Sequence, residues 1–276
     1  MNHLLLSILA CFGLSLHAAT IAISGVQTQI FGSTTDVPGS GSAANYDAGT
    51  LVGDFAVFDV DRNGSAYADL KVTYLADNSG DIGSDIMIAR TSNSQNLMDT
   101  GTLSILMNIG SGTDKTASIQ FEWYTDGSFV GGVEQGGASL ITDQILYTSF
   151  DIDFRQVNRF TESDLASYQL HSTTELTATS SSGEISFEDA NSNSTFDDPE
   201  TAFSVLTAPG AQSLIVDIGK QNQNGAALFM FEFNDPPVNL STPLDGPTIS
   251  IPEPSTFMFS MVGLAAFVVL RKRQLR

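Results

Sequence analysis

The chain has 276 residues, with 31 acidic and 11 basic side chains and a formal net charge of −20. Such an acidic surface repels nucleic acid and attracts divalent cations, so nucleic acid is excluded as a partner. The length is enough for one large domain or two small ones with a buried core.

Residues 1–19 have the pattern of a secretory signal peptide, the substrate of the Sec export machinery and signal peptidase. An apolar region from Leu4 to Leu16 precedes Ala18 and Ala19, where we expect cleavage. Cys11 is the only cysteine, and a lipoprotein box ending there is disfavoured because the apolar region continues beyond it. The mature chain therefore has no disulfide, so its stability must come from core burial or bound metal.

Residues 20–235 show the alternation typical of strands and little amphipathic helical periodicity. The predicted strands are 21–31, 51–60, 68–74, 103–109, 119–123, 129–133, 145–154, 168–170, 184–187, 203–206, 214–218 and 227–233. Turn clusters such as Asp126-Gly127 separate them, and Thr161-Glu162-Ser163-Asp164 predicts one short helix. The pattern indicates an all-β body, an antiparallel β-sandwich or jelly-roll-like fold.

Residues 189–200 carry the sharpest ligand pattern of the body. They match positions one, three, five and twelve of the calcium-loop template D-x-[DN]-x-[DN]-G-x5-E. The candidate ligands are Asp189, Asn191, Asn193, Thr195, Asp197 and Glu200. Position six is Ser194 instead of the glycine that the sharp turn favours. The loop predicts a calcium site, because calcium prefers several oxygen ligands, and the alternative is a solvated acidic loop of Asx turns.

A second fragment begins in the same way. Asp59, Asp61 and Asn63 precede Gly64, but position twelve is Leu70, so no carboxylate closes the loop. Calcium binding is one interpretation of this fragment, and an ordinary hairpin turn is the simpler one.

The body has no catalytic signature. Asp151 and Asp153 alternate along a predicted strand and could act as a glycosidase pair, although a polar sheet face explains them more simply. His171 is the only histidine outside the signal segment, which excludes a multi-histidine zinc site and leaves a serine triad only through that residue. Trp123 and Tyr124 form either a sugar-stacking platform or part of the core. We expect a protein that is not an enzyme.

The C-terminal residues 252–276 have three features in a fixed order. Pro252-Glu253-Pro254 is held extended, an uncharged apolar span covers about residues 255–270, and Arg271-Lys272-Arg273 ends it. The span approaches the roughly 20 residues that cross a bilayer, and its basic end is expected in the cytoplasm. Residues 236–251, which contain Pro243 and Pro247, are predicted to be a spacer.

This tail resembles the PEP-CTERM sorting signal. The resemblance implies processing by exosortase, a membrane enzyme of Gram-negative bacteria that make exopolysaccharide. It also implies a transient inner-membrane anchor, removal of the basic tail, and delivery to the cell surface or extracellular matrix. An ordinary C-terminal membrane anchor is the alternative. The resemblance says nothing about what the body does.

The leading functional hypothesis is an exported, non-enzymatic surface or matrix protein with a β-sandwich body that calcium stabilises. The first alternative is a carbohydrate-binding, lectin-like module of the exopolysaccharide matrix. The second is a secreted glycan hydrolase or lyase.

Overall fold

The computed structural model describes residues 20–29, 50–80, 82, 86–89, 103–109, 115–150, 152, 155–170, 173–189, 201–221, 225–234 and 248–250. The predicted signal peptide, the proline motif, the apolar span and the basic stop lie outside the described residues.

The described residues form strands and connecting turns, with a 3-10 turn at Glu162–Asp164. The strands are β1 (Thr20–Gln29), β2 (Phe55–Arg62), β3 (Ser65–Asp77), β4 (Ile86–Ala89), β5 (Leu103–Ile109), β6 (Lys115–Thr125), β7 (Phe129–Val130), β8 (Val133–Glu134), β9 (Leu146–Phe150), β10 (Gln156–Thr161), β11 (Leu165–Leu170), β12 (Leu176–Ser181), β13 (Glu184–Asp189), β14 (Phe203–Thr207), β15 (Ser213–Lys220), β16 (Gly225–Asn234) and β17 (Thr248–Ser250).

Fifteen of these strands form one sheet, and every pairing between them is antiparallel. The order is β12-β13-β10-β15-β6-β3-β2-β1-β16-β9-β14-β11-β17, with β5 beside β16 and β4 beside β5. The strands from β12 to β1 form the first half, and β16 with its remaining partners forms the second. The all-β, antiparallel prediction is confirmed.

The two halves face each other across a shared core. Phe121 of β6 packs edge-on against Phe231 and Phe233 of β16 and Tyr147 of β9, with ring centroids 5.4, 6.0 and 5.5 Å apart. Because β6 is not hydrogen-bonded to either strand, these contacts cross from one half to the other. The sheet therefore folds back on itself as a sandwich-like body.

Alternation along each strand explains which residues meet in this core. In β6, Ala117, Ile119, Phe121 and Trp123 point inward and are at most 3% exposed. A second group of rings fills the other end, where Phe187 of β13 stacks on Phe203 of β14 at 4.1 Å. Burial of such large rings is the main favourable contribution in a chain that lacks disulfides.

Residues 129–133, predicted as one strand, form a hairpin, so that prediction is wrong. β7 and β8 pair around Gly131 and Gly132, whose φ angles are 57° and 78°. A two-residue hairpin turn needs positive φ at both central positions, which glycine adopts without a steric penalty. The helix predicted after Thr161 is a single 3-10 turn, and the Thr161 side chain makes no capping hydrogen bond.

Four strands were not predicted: β4, β10, β12 and β17. In β10, Gln156 and Asn158 point into the interior, which breaks the apolar alternation on which the prediction depended. β17 lies inside the predicted spacer and pairs with β11 through Thr248 and Ser250. Part of the spacer therefore belongs to the sheet.

Replacing Phe121 with alanine should destabilise the fold by about 3 to 5 kcal/mol, because the ring is fully buried and contacts three others. Denaturant unfolding of the full-length chain, followed by the fluorescence of the single tryptophan, measures the loss. Val133→Ala is the matched control, since this side chain is 66% exposed and its truncation should change stability by about 0.5 kcal/mol or less. Equal effects of the two substitutions would contradict the proposed core.

Candidate functional site

Of the predicted calcium loop, the structure describes only Asp189. It ends β13 and is 3% exposed. The other five candidate ligands, Asn191, Asn193, Thr195, Asp197 and Glu200, lie outside the described residues, as do Asp151, Asp153 and His171. One backbone hydrogen bond, from the Ile152 amide to the Thr201 carbonyl at 3.2 Å, joins the segments that follow Asp151 and Glu200.

Asp189 belongs to a row of buried polar side chains. The register of β13, β10 and β15 aligns Asp189 with Gln156 and then with Lys220, and Lys220 is paired with Lys115 of β6. All four side chains are 5% exposed or less. Neighbouring strands lie about 4.8 Å apart, so one carboxylate and two ammonium groups share a short buried stretch. Positive charges so placed attract carboxylates and oppose a divalent cation.

Asp59, Asp61 and Asn63 lie on β2 and in the tight turn that follows it. Asn63 and Gly64 have φ angles of 52° and 74° and connect β2 to β3, so the hairpin turn that the sequence allowed is formed. Asp61 accepts a hydrogen bond from Ser24 at 3.0 Å. Within the described part of the chain, no three acidic, histidine or cysteine side chains are grouped so that they could hold a metal ion.

Asp59 instead forms a pair with Asp69, its direct neighbour on β3. The amide nitrogen of Gln27 donates to both carboxylates, at 2.7 Å to Asp59 and 2.8 Å to Asp69. The second oxygen of Asp69 accepts the backbone N–H of Phe129 at 2.8 Å, at the start of the β7–β8 hairpin. One amide and one buried carboxylate therefore fasten the hairpin to the sheet.

Burial raises the pKa of the Asp69 carboxyl above its ordinary value, and the negative charges of Asp126 and Asp59 raise it further. The hydrogen bonds from the Phe129 and Ser128 amides act in the opposite direction. Asp69 is the most strongly buried carboxylate among the described residues, with no exposed surface. Sequence reasoning did not single it out, because its neighbours Ala68 and Leu70 made the segment look like an ordinary strand.

Trp123 is 3% exposed and lies in the core, so it is not a surface platform for sugars. Its indole N–H donates to the Tyr147 hydroxyl at 2.5 Å, and its ring packs edge-on against Phe233 at 5.1 Å. Tyr124 points to the opposite face, where it packs against Phe129 at 5.0 Å. The two aromatic residues adjoin in sequence but serve different sides of the sheet.

A small cavity opens beside Trp123 and Tyr147, and we call it the Asp143 niche. Its volume is about 10 Å³, room for about one water-sized group. The indole and phenol form its inner part, Ile141 and Ile145 contribute apolar wall, and Asp143 and Ser213 supply polar groups. It combines buried aromatic edges with a carboxylate at the surface.

Two residues from the β2–β3 hairpin fix Asp143. The Tyr67 hydroxyl donates to one carboxylate oxygen, Oδ2, at 3.0 Å, and Arg62 Nη1 lies 3.7 Å from the same oxygen. The Arg62 guanidinium also lies over the Tyr67 ring, 4.9 Å from its centroid. The carboxylate is therefore oriented although its side chain is 56% exposed. None of these residues was predicted as a site.

Residues 250–274 match the PEP-CTERM protein-sorting motif, which confirms the resemblance read from the tail. The motif implies processing by exosortase and sorting to the cell surface or extracellular space. It covers the tail alone. Comparison with curated proteins gives no match.

Three solved bacterial structures are similar to this chain. The N-terminal domain of the Streptococcus gordonii adhesin Sgo0707 has a TM-score of 0.40 and 8% identity, over 80% of this chain and 64% of that one. Glucan-binding protein C of Streptococcus mutans has a TM-score of 0.39 and 13% identity, over 86% and 80%. The adhesin domain of PrgB from Enterococcus faecalis has a TM-score of 0.41 and 12% identity, over 85% and 91%. This chain spans less than two thirds of the first structure's length.

Among the described residues there is no helix of the length and apolar character that crossing a membrane requires. The predicted span at about residues 255–270 lies outside them.

Asp69 should make stability fall as pH rises. The pKa of Asp69 is raised in the folded state, so the folded chain binds this proton more tightly than the unfolded chain does. The free energy of unfolding therefore decreases as the pH rises from the pKa of the unfolded state to that of the folded state. Relative to Asp69→Asn, the wild-type chain should therefore gain stability as the pH is lowered from 7 toward 4. Urea unfolding of both proteins at several pH values measures the difference.

Glu134→Gln is the control for that comparison, since it removes one exposed charge from the same hairpin without touching the Asp59–Asp69 pair. If the stability difference from wild type changes with pH equally for both variants, net charge and not burial of Asp69 is the cause.

Proposed function

We propose that this chain is an exported β-sandwich protein which exosortase sorts to the envelope surface or extracellular matrix of a Gram-negative bacterium, and which acts by binding without catalysis. The observation that carries the proposal is the sorting motif at residues 250–274, placed directly after an all-β antiparallel body. An export signal at the opposite end, predicted at residues 1–19, supports the same route.

The binding role is supported by the kind of groups that the body offers. Gln27, Asp59 and Asp69 are engaged with one another and with the β7–β8 hairpin. Asp143 is the carboxylate held next to a cavity, and that cavity admits about one water-sized group. A glycosidase needs two carboxylates on opposite sides of a bound sugar, about 5 to 10 Å apart. Among the described residues, Asp143 is the one carboxylate that lines the niche, which favours binding over hydrolysis.

A carbohydrate-binding module of the matrix is the second candidate function. The Asp143 niche favours it, because an oriented carboxylate beside apolar walls and aromatic edges is a combination that suits sugar hydroxyl groups. The surface-protein proposal does not depend on this candidate.

The sorting proposal predicts that replacing Pro252 and Pro254 together with alanine blocks processing. In a host that has exosortase, the wild-type chain should lose its tail and reach the surface or medium, whereas the double variant should stay full-length in the membrane fraction. Immunoblotting of fractionated cells measures both forms. Pro243→Ala, a proline change upstream of the motif, is the control and should be processed normally.

A host strain without exosortase completes this test. There the wild-type chain should accumulate uncut, as the double variant does. Equal processing of wild type in both strains would falsify the exosortase route.

Calcium stabilisation of residues 189–200 is a further part of the proposal. Its support is the spacing of oxygen side chains in the sequence and the position of Asp189 at the end of β13. The buried Lys220 and Lys115 work against it, since two positive charges in the row that contains Asp189 oppose a divalent cation. The calcium proposal therefore depends on the oxygen ligands of residues 189–200 themselves.

Calcium at about 100 times its dissociation constant should raise the free energy of unfolding by roughly 2.7 kcal/mol, or several degrees of melting temperature. Thermal melting of the full-length chain with calcium and with a chelator measures the shift. Glu200→Ala should abolish it, and Glu184→Ala, at the exposed start of β13, should not. If calcium does not change the melting temperature of the wild-type chain, the calcium proposal is wrong and residues 189–200 are a solvated acidic loop.

A further inference from the structure

We propose that the Asp143 niche is a binding site for one hydroxyl group of a neutral glycan. This inference deepens the carbohydrate-binding candidate and rests on it. It does not depend on how the chain is sorted.

The first observation is a buried proton donor. Tyr147 is 2% exposed and lines the niche, and its oxygen accepts the indole N–H of Trp123 at 2.5 Å. Burial raises the pKa of the Tyr147 phenol, so it stays protonated at any ordinary pH. Among the described residues no group accepts its proton. A buried hydroxyl whose proton has no acceptor is costly, and a group entering the niche can supply that acceptor.

The second observation is an oriented acceptor at the surface. Tyr67 and Arg62 engage only the Oδ2 atom of Asp143. The other carboxylate oxygen, Oδ1, accepts no hydrogen bond within the described part of the chain. Because two partners hold Oδ2, the carboxylate has already lost much of its rotational freedom, and a ligand does not have to order it again.

These two observations identify the chemistry of the ligand. A group that accepts from Tyr147 and donates to Asp143 must be both acceptor and donor, which an alcohol hydroxyl is. The niche has room for about one such group, and the walls of Ile141 and Ile145 suit the C–H atoms that surround a sugar hydroxyl.

The charges near the niche indicate a neutral glycan. Arg62 lies 3.7 Å from Asp143 and offsets its negative charge, so a cationic ligand gains little. An anionic polymer meets the Asp143 carboxylate and a chain of formal net charge −20. A site that binds one hydroxyl group has a low affinity. A polymer that repeats this group binds more strongly, because it keeps many copies of the group at a high local concentration near the site.

Affinity electrophoresis of the full-length chain in mild detergent tests the site, with dextran, galactomannan or xylan in the gel and with alginate as the anionic polymer. Wild type should be retarded by at least one neutral polymer and not by alginate. Asp143→Asn and Tyr147→Phe should each weaken that retardation about tenfold, since each removes one hydrogen-bonding function and keeps the shape. Asp217→Asn, which removes a carboxylate at another place on the sheet, should bind like wild type.

Circular dichroism of each variant separates lost binding from lost folding. Asp143→Asn alters a side chain that is 56% exposed, so this variant keeps the test decisive if Tyr147→Phe fails to fold. Absence of retardation by every neutral polymer overturns the site, as does retardation by alginate alone. Normal binding by a folded Asp143→Asn chain also overturns it. None of these outcomes bears on processing by exosortase, which is measured in cells.

Discussion

The packing of Phe121 against the rings of the opposite half is the contact on which the rest of the body depends. Among the described residues, two residue pairs between β1 and β16 join the halves of the sheet, Thr20 with Asn234 and Ile21 with Phe233. So few backbone hydrogen bonds do not determine the spacing of two facing halves, whereas a set of interlocking rings does. Trp123 and Tyr147 extend the same aromatic contact toward one end of the body. The floor of the Asp143 niche is thus a part of the core, and its geometry follows from core packing.

The buried carboxylates beneath the β7–β8 hairpin act on the architecture of the body. Gln27 joins Asp59 to Asp69, and Asp69 in turn holds the amide of Phe129. A buried carboxylate is tolerated only where hydrogen bonds replace the lost water, so these partners fix where the β7–β8 hairpin attaches. This arrangement selects one strand register, because a slip of one residue would turn each charged side chain to the other face of the sheet.

The sequence predicted those parts of the fold in which inward residues are uniformly apolar. β3 and β6 were predicted for this reason, whereas β10 was missed because Gln156 and Asn158 take inward positions. The hairpin at Gly131 and Gly132 was read as one strand, since a pair of glycines between valines interrupts an apolar run without ending it. The candidate calcium loop could be recognised in the sequence because the spacing of its oxygen side chains is local.

The Asp143 niche was not predictable in that way. Tyr67 and Asp143 are 76 residues apart, and their hydrogen bond exists only because β2, β3 and the segment before β9 meet in the folded sheet. The sequence likewise did not indicate whether Trp123 is buried, since a tryptophan on a strand can lie either on a surface or in the core. Local patterns suggest candidate ligands that lie within one loop, and they do not reveal groups that distant strands bring together.

The short strand β17 bears on the integrity of the exported product. It covers the outer edge of β11, and an uncovered edge strand offers unpaired N–H and C=O groups to other chains. The sorting motif begins at residue 250, the last residue of β17. A cut downstream of that residue leaves the cover in place, whereas a cut before Thr248 would release the body with a bare edge on β11. The overlap of fold and motif at residue 250 thus connects the position of the cut to the tendency of the released protein to aggregate.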